Sequence, residues 1–225
     1  MRDLGGQRIV APVTQEGVVQ FRYELTTGSP PADSEVRDLV RWRRELFGRD
    51  VIGCDLGRYG ACYGNMSART GTWAAPPGRR EFLVSGTQTG GDPVGGRELL
   101  VRVVRYDHAR NLVVAQGPCA PSSETMTHGA IYDASLAVRA VVHGHDPALW
   151  RWLLAQGAPR TAETVAYGTP AMAEAARSLV EADRRHPWRL AGIFAMAGHE
   201  DGVVAFGASV AQATERFIAA WGESR

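Results

Sequence analysis

The chain has 225 residues, of which 44% are hydrophobic and 22% are charged, and its formal net charge at pH 7 is +1. That length suits one α/β core and would be cramped for two full domains, and so small a net charge gives no reason to expect a nucleic acid as partner. The longest apolar runs are far shorter than the roughly 20 residues of a membrane span, and the first residues lack the apolar core of a signal peptide. We therefore expect a cytoplasmic protein without a membrane partner. Cys54, Cys62 and Cys119 are an odd set without C-x-x-C spacing, which predicts reduced, mostly buried thiols.

The first part of the chain predicts an arm, a strand and a helix. Residues 1–17 are polar and contain glycine, which favours a loosely ordered arm or an edge strand, and a single domain is expected over 18–225. The run VVQFRYEL at 18–25 reads as a strand. A helix capped by Asp33 or Ser34 follows, because apolar residues then recur at helical spacing. The charged residues of this helix that are expected mainly on its solvated side are Arg41, Arg43, Arg44 and Glu45.

Two polar stretches in the next segment are candidates for binding an anion. The first is Gly64-Asn65-Met66-Ser67, which interrupts a short strand. It is read equally well as a tight turn or as a cradle of backbone and side-chain amides for an oxyanion. The second is the Thr89-Gly90 pair in the glycine-rich turn after the predicted strand 81–85, although such turns are common after strands.

The densest set of chemical groups lies at residues 121–147. Pro121 is followed by Ser122-Ser123-Glu124, which predicts a helix start and, by default, only a cap. The same backbone amides can instead bind a phosphate. After the helix, the apolar strand 137–142 runs into His143-Gly144-His145. Residues i and i+2 of a strand face the same side, so both imidazoles can reach one metal ion.

Further elements complete the predicted order. They are a hairpin of strands 99–106 and 112–116, a helix that starts at Pro170, a strand 190–197 that delivers His199, a strand 203–206 and a closing helix capped by Ser209. His108 in the hairpin turn and His186 in the 183–189 loop are expected to be loop residues rather than metal ligands.

This order of motifs, from about residue 36 to 221, resembles the class II aldolase/adducin family, whose best-known members include L-fuculose-phosphate aldolases. The segment GNMSAR looks like the family's G-N-x-S-x-R stretch, and a Thr-Gly pair, an S-S-E helix start, an H-x-H strand end and a third histidine follow in the family's order. The resemblance implies an α/β fold with a central, mainly antiparallel sheet flanked by helices on both faces.

The resemblance also implies a site and a reaction. His143, His145 and His199 would hold Zn²⁺, with Fe²⁺, Mn²⁺ or Co²⁺ as alternative ions, and Glu124 would be the general base. The residues implied for a substrate phosphate are Asn65, Ser67, Thr89, Gly90, Ser122 and Ser123. The implied activity is that of a metal-dependent lyase. Such an enzyme cleaves a small, phosphorylated hydroxy-carbonyl compound by a retro-aldol reaction through an enediolate. A homotetramer with its sites at subunit interfaces is implied as well.

Two departures from the family's pattern keep other chemistry open. Segment 146–166 lacks the tyrosine that donates a proton in the sugar-phosphate aldolases, so Tyr167, Glu200 or Asp201 are candidates for that role. The Glu200-Asp201 pair stands where the family has glycine, either as a solvated turn or as acids facing the ion. Related members act as epimerases, dehydratases, decarboxylases or iron-dependent oxygenases, and adducin heads are non-enzymatic interaction modules. His128, four residues after Glu124, is expected to be buried near the site; a separate Glu124–His128 metal pair is the alternative.

Overall fold

The computed structural model describes residues 18–183 and 191–225, so the predicted N-terminal arm and the loop with His186 lie outside the described residues. The elements in chain order are β1 (Arg22–Thr27), α1 (Asp33–Phe47), β2 (Gly53–Asp55), β3 (Ala61–Tyr63), β4 (Asn65–Arg69), β5 (Phe82–Ser85), a 3-10 turn (Arg97–Leu99), β6 (Leu100–Asp107), β7 (Leu112–Gly117), α2 (Thr125–Ala134), β8 (Ala140–His145), α3 (Pro147–Ala155), α4 (Pro170–Asp183), β9 (Gly192–Ala195), β10 (Gly202–Gly207) and α5 (Val210–Glu223).

Eight strands form one sheet in the order β1-β7-β6-β5-β4-β8-β10-β9. Every neighbouring pair is antiparallel except β1 with β7, which is parallel. Strands β2 and β3 form a separate antiparallel hairpin. The sheet is therefore mainly antiparallel, as predicted.

Helices cover both faces of the sheet. On one face, α2 and α4 pack through Met126, Ile131 and Met172 against side chains such as Val141. On the other face, α1, α3 and α5 pack against the alternate residues of the strands, with Phe217 near Val142. Successive side chains of a strand point to opposite faces of the sheet. Because helices cover both faces, both sets of strand residues are buried and apolar. The predicted layer arrangement is confirmed.

The element boundaries differ from the prediction in several places. Strand β1 begins at Arg22 rather than at residue 18, and the cap of α1 is Ala32 rather than Asp33 or Ser34. Helix α3 lies in the segment for which no helix was predicted, and its cap is Asp146, whose side chain accepts a hydrogen bond from the Leu149 amide. Within the described parts of the chain, no helix is long and apolar enough to cross a membrane.

The prediction of three reduced, mostly buried thiols is wrong for two of them. Cys54 and Cys62 lie opposite each other in the β2–β3 hairpin and form a disulfide, and Cys54 is exposed. A hairpin brings cysteines together at any spacing that its turn permits, so the absence of C-x-x-C said nothing about this pair. Cys119 is a free, half-buried thiol, and burial raises its pKa to about 11.

Candidate metal centre and active site

Three histidines converge at the end of the central strands. His143 and His145 project from the same side of β8, and Gly144 between them faces the other way. A Cβ at residue 144 would lie 2.8 Å from the Val51 carbonyl oxygen and 3.0 Å from the Phe217 ring, so only glycine fits between the two histidines. His199 comes from the β9–β10 turn, which the pairing of Gly202 with His145 places beside β8.

The geometry of the three imidazoles suits one cation. Their candidate ligand nitrogens all lie within 4.8 Å of one another. The ring centroids are 5.0 Å apart for His143 and His145, 5.2 Å for His143 and His199, and 4.7 Å for His145 and His199. The three histidines are only 1%, 2% and 5% exposed, in chain order. Three converging nitrogen donors, shielded from water, match the protein ligand set of a catalytic zinc site.

The surroundings favour the neutral, metal-binding form of the imidazoles. His143 Nδ1 lies 3.2 Å from the Val203 carbonyl oxygen. Since a carbonyl only accepts, Nδ1 carries the proton, and Nε2 is the nitrogen that could coordinate a metal ion. Burial, followed by the nearby His199 and His143, holds the pKa of His145 well below its usual value. Neutral imidazole is the form that binds metal ions.

Glu124 occupies the cap position of α2 and is 1% exposed. The Glu124 amide donates to Ser122 Oγ at 3.3 Å, and the Thr125 amide donates to the Ser122 carbonyl at 3.1 Å. The predicted helix start is therefore present, although the cap itself is Glu124 rather than a serine. One turn later, His128 lies so close to His143 that the charge of His143 lowers the pKa of His128. The first turn of α2 is thus next to the histidine cluster.

Three of the predicted phosphate residues belong to segments beside the histidines. Asn65 pairs with His143 across β4 and β8, and its buried Oδ1 has no hydrogen-bond partner among the described residues. Ser122 and Ser123 are buried immediately before Glu124. Their contact with a substrate phosphate stays a prediction.

Ser67, Thr89 and Gly90 are placed differently. Ser67 Oγ is fully buried and bonds to His128 Nδ1 at 2.7 Å and to the Tyr132 hydroxyl at 2.6 Å. The Thr89 hydroxyl donates to the Gly86 carbonyl at 2.8 Å. A Cβ at residue 90 would come within 2.5 Å of two backbone oxygens of the β2–β3 hairpin, so Gly90 is packed against protein.

Thr87 is a candidate that sequence reasoning missed. Gly86 pairs with Pro121, and the Thr87 amide donates to the Ala120 carbonyl at 3.0 Å. The loop after β5 therefore meets the chain just before Ser122 at Thr87, two residues earlier than the Thr89-Gly90 pair. The only signal in the sequence was a second threonine in GTQTGG.

Arg43 corrects another expectation. This residue is 4% exposed, not solvated, and its guanidinium donates to the Thr89 carbonyl at 2.5 Å and to the Asp92 carbonyl at 2.6 Å. Burial lowers the pKa of Arg43. The Arg43 side chain therefore binds the backbone of the glycine-rich loop. Helical periodicity alone could not reveal this contact.

His128 is fully buried, as predicted, and burial followed by the charge of His143 lowers its pKa to about 3. His128 Nδ1 is engaged by Ser67, so the geometry supports a buried residue behind the site rather than a separate surface metal pair with Glu124.

The two acids after His199 have different surroundings. Glu200 is exposed, which fits a solvated turn, but Asp201 is buried and accepts hydrogen bonds from Arg58 at 2.6 Å and from the Tyr59 hydroxyl at 2.8 Å. The Tyr59 ring packs edge-on to His145 with centroids 4.9 Å apart. Tyr167 stacks on His199 at 4.7 Å. Sequence reasoning missed Tyr59 because 142 positions separate it from Asp201.

Comparison with known proteins decides the family. The model of the class II aldolase and adducin N-terminal domain matches residues 54–220. The chain belongs to this family. Among solved structures, the class II aldolase fold recurs in a sugar-phosphate aldolase from Thermotoga maritima, 17% identical with a TM-score of 0.61 over 85% of this chain and 92% of that chain. The L-fuculose-1-phosphate aldolase from Thermus thermophilus is also 17% identical, with a TM-score of 0.55 over 86% and 92% of the two chains.

An aldolase II superfamily protein from Pseudomonas syringae is 16% identical, with a TM-score of 0.58 over 88% of this chain and 75% of that chain. No curated protein sequence matches the chain. The family and the fold predicted from the motif order are confirmed.

Proposed function

We propose that this class II aldolase family member is a metal-dependent lyase that cleaves a small phosphorylated hydroxy-carbonyl compound by a retro-aldol reaction. The observation that carries the proposal is the convergence of His143, His145 and His199, with ligand atoms within 4.8 Å, near the buried carboxylate of Glu124. The fold shared with sugar-phosphate aldolases supports this choice of substrate class.

The three histidines would hold Zn²⁺, which when bound stabilises negative charge on a substrate oxygen. Glu124 would exchange a proton with the substrate, since its carboxylate is buried at the start of the helix that lies next to the histidines. Tyr167, stacked on His199, is the best placed of the three candidates for proton donor, because Glu200 is exposed and Asp201 is held by Arg58.

We assign the phosphate to Asn65, Ser122, Ser123 and Thr87. The side-chain Nδ2 of the buried Asn65 and the hydroxyls of Ser122 and Ser123 would donate to the phosphate, and a bound phosphate there would fix the carbon chain relative to Glu124. Ser67, Thr89 and Gly90 then support this pocket from behind instead of touching the phosphate. The homotetramer of the family, with sites at subunit junctions, is part of the proposal.

The test combines metal analysis with cleavage assays on the full chain. Wild-type protein should carry about one zinc per chain and release a carbonyl product from L-fuculose 1-phosphate or another ketose 1-phosphate. The His143→Ala, His145→Ala double variant should lose both properties. A matched control is His108→Ala, a histidine of the β6–β7 turn, which should keep both.

Two other results would each overturn part of the proposal. Iron in place of zinc, with oxygen consumption and no cleavage, would move the protein to the oxygenases of the family. The absence of bound metal after supplementation with zinc, iron, manganese and cobalt would contradict the enzyme assignment and favour an adducin-like interaction module.

A further inference from the structure

A disulfide-closed hairpin touches both chain segments that carry the metal ligands. This clamp hairpin, residues 53–63, consists of β2, β3 and the turn between them. Cys54 and Cys62 face each other across its two strands and form the disulfide. Because Cys54 is exposed and Cys62 half-buried, a reductant in solution can reach the bond.

The tip of the clamp hairpin contacts the metal centre from one side. The Tyr59 ring packs edge-on to the ligand His145, with centroids 4.9 Å apart. The Tyr59 hydroxyl and the Arg58 guanidinium both donate to Asp201 Oδ2, at 2.8 and 2.6 Å. Asp201 lies two residues after the ligand His199. The turn of the clamp hairpin therefore contacts both the strand that carries His145 and the turn that carries His199.

The base of the clamp hairpin contacts the glycine-rich loop on the other side. A Cβ at residue 91 would lie 2.9 Å from Cys54 Cβ, and the Cys62 amide donates to Gln88 Oε1 at 3.0 Å. The disulfide is thus the covalent link at the base, and Tyr59 is the contact at the tip. Without the disulfide, the short two-stranded hairpin would depend on its few contacts alone, and isolated hairpins are marginally stable.

We propose that the clamp hairpin is a redox-sensitive support of the metal centre, in which Tyr59 and Asp201 are positioning residues for His145 and the Cys54–Cys62 disulfide keeps them in place. This inference rests on the proposed metal site. Residues that orient a metal ligand commonly change metal affinity about 10- to 100-fold when they are removed. Loss of the disulfide therefore weakens metal binding without removing any ligand.

The redox step is a two-electron reduction. A cellular dithiol breaks the Cys54–Cys62 sulfur–sulfur bond by exchange, becomes a disulfide itself and leaves two protonated thiols on the hairpin. In the laboratory a phosphine does the same: it gives two electrons and takes an oxygen from water to become its oxide, and each sulfur receives a proton. Cys119 is not part of this exchange, because it lies outside the hairpin.

The experiment is a Co²⁺ titration of the full chain, freed of metal, with visible absorption as the readout. Oxidised and phosphine-reduced wild type are compared with the Cys54→Ser, Cys62→Ser double variant, with Tyr59→Leu and with the control Cys119→Ser. Reduction and the double variant should each weaken Co²⁺ binding about tenfold and alter the absorption bands of the bound ion. Cys119→Ser should behave as wild type in both redox states, and circular dichroism of the metal-free proteins checks that every variant is folded.

The variant Tyr59→Leu separates positioning from general destabilisation. If the disulfide acts through Tyr59, Tyr59→Leu should already show the weaker binding, and its reduction should add little, since effects on one contact are not additive. Identical Co²⁺ affinity and spectrum in oxidised wild type, reduced wild type and Tyr59→Leu would overturn this inference while leaving the metal site intact. Failure of oxidised wild type to bind Co²⁺ would instead overturn the metal site, and this inference with it.

Discussion

Acidification below pH 6.5 should destabilise the metal-free protein through His128. Its side chain is fully buried, and its pKa is lowered from 6.5 to about 3, chiefly by burial and then by the charge of His143. Below pH 6.5 the unfolded chain binds a proton at this residue that the native protein does not bind until about pH 3. The free energy of unfolding is therefore not reduced by His128 above pH 6.5, and it falls as the pH is lowered from 6.5 toward 3.

The size of the effect follows from the pKa difference. Each pH unit below 6.5 costs about 1.4 kcal/mol, so the His128 contribution at pH 5 amounts to a loss of about 2 kcal/mol. The replacement His128→Asn has no titrating group and can still bond to Ser67. Its free energy of unfolding should therefore change less between pH 7 and pH 5 than that of wild type, by about 2 kcal/mol.

Urea unfolding at pH 7, 6 and 5 in the presence of a chelator measures the free energy of unfolding of wild type and of His128→Asn. The matched control is Ser67→Ala, which removes a hydrogen-bond partner of His128 but no titrating group. It should lower stability by a similar amount at every pH and retain the wild-type pH dependence. A pH dependence in His128→Asn equal to that of wild type would refute the reasoning.

Three further predictions concern the site and its supports. Glu124→Gln should reduce cleavage at least about a hundredfold while metal content stays at the wild-type level; substantial residual activity would exclude Glu124 as the base. Gly144→Ala should lower both the melting temperature and the metal content, because its Cβ would lie 2.8 Å from the Val51 carbonyl. The control Gly222→Ala, in helix α5 with open space around its Cβ, should lower neither. Arg43→Met should lower the free energy of unfolding by roughly 2–3 kcal/mol in urea, because buried carbonyls of the glycine-rich loop lose their donors. Equal effects of Arg43→Met and the exposed control Arg41→Met would contradict that role.

Local patterns in the sequence were sufficient for most of the sheet and for one metal motif. Two strand runs on either side of the turn at residue 108 predicted the β6–β7 hairpin. Strand alternation placed His143 and His145 on one face, because the period of a strand is a property of the backbone itself. The third proposed ligand, His199, followed from the order of motifs in a family, not from its neighbours in the chain. The family comparison confirms the family that this order indicated.

Contacts beyond a single helix or strand decided the rest. The periodicity of its helix predicted that Arg43 is solvated. The residue is buried only because a loop 46 residues later in the chain packs over it. The Cys54–Cys62 pair depends on a turn, the placement of Thr87 on its bond to Ala120, and the contact of Tyr59 with His145 on the packing of a separate hairpin.

The sequence by itself therefore determined most of the strands and helices, although not α3, and it determined which residue types line the site, because periodicity, capping and turn chemistry act within a few residues. Only the tertiary structure decided which of those residues face the candidate metal centre and which lie behind it. The reason is physical: a side chain's role there depends on burial and hydrogen bonds supplied by segments far away in the chain.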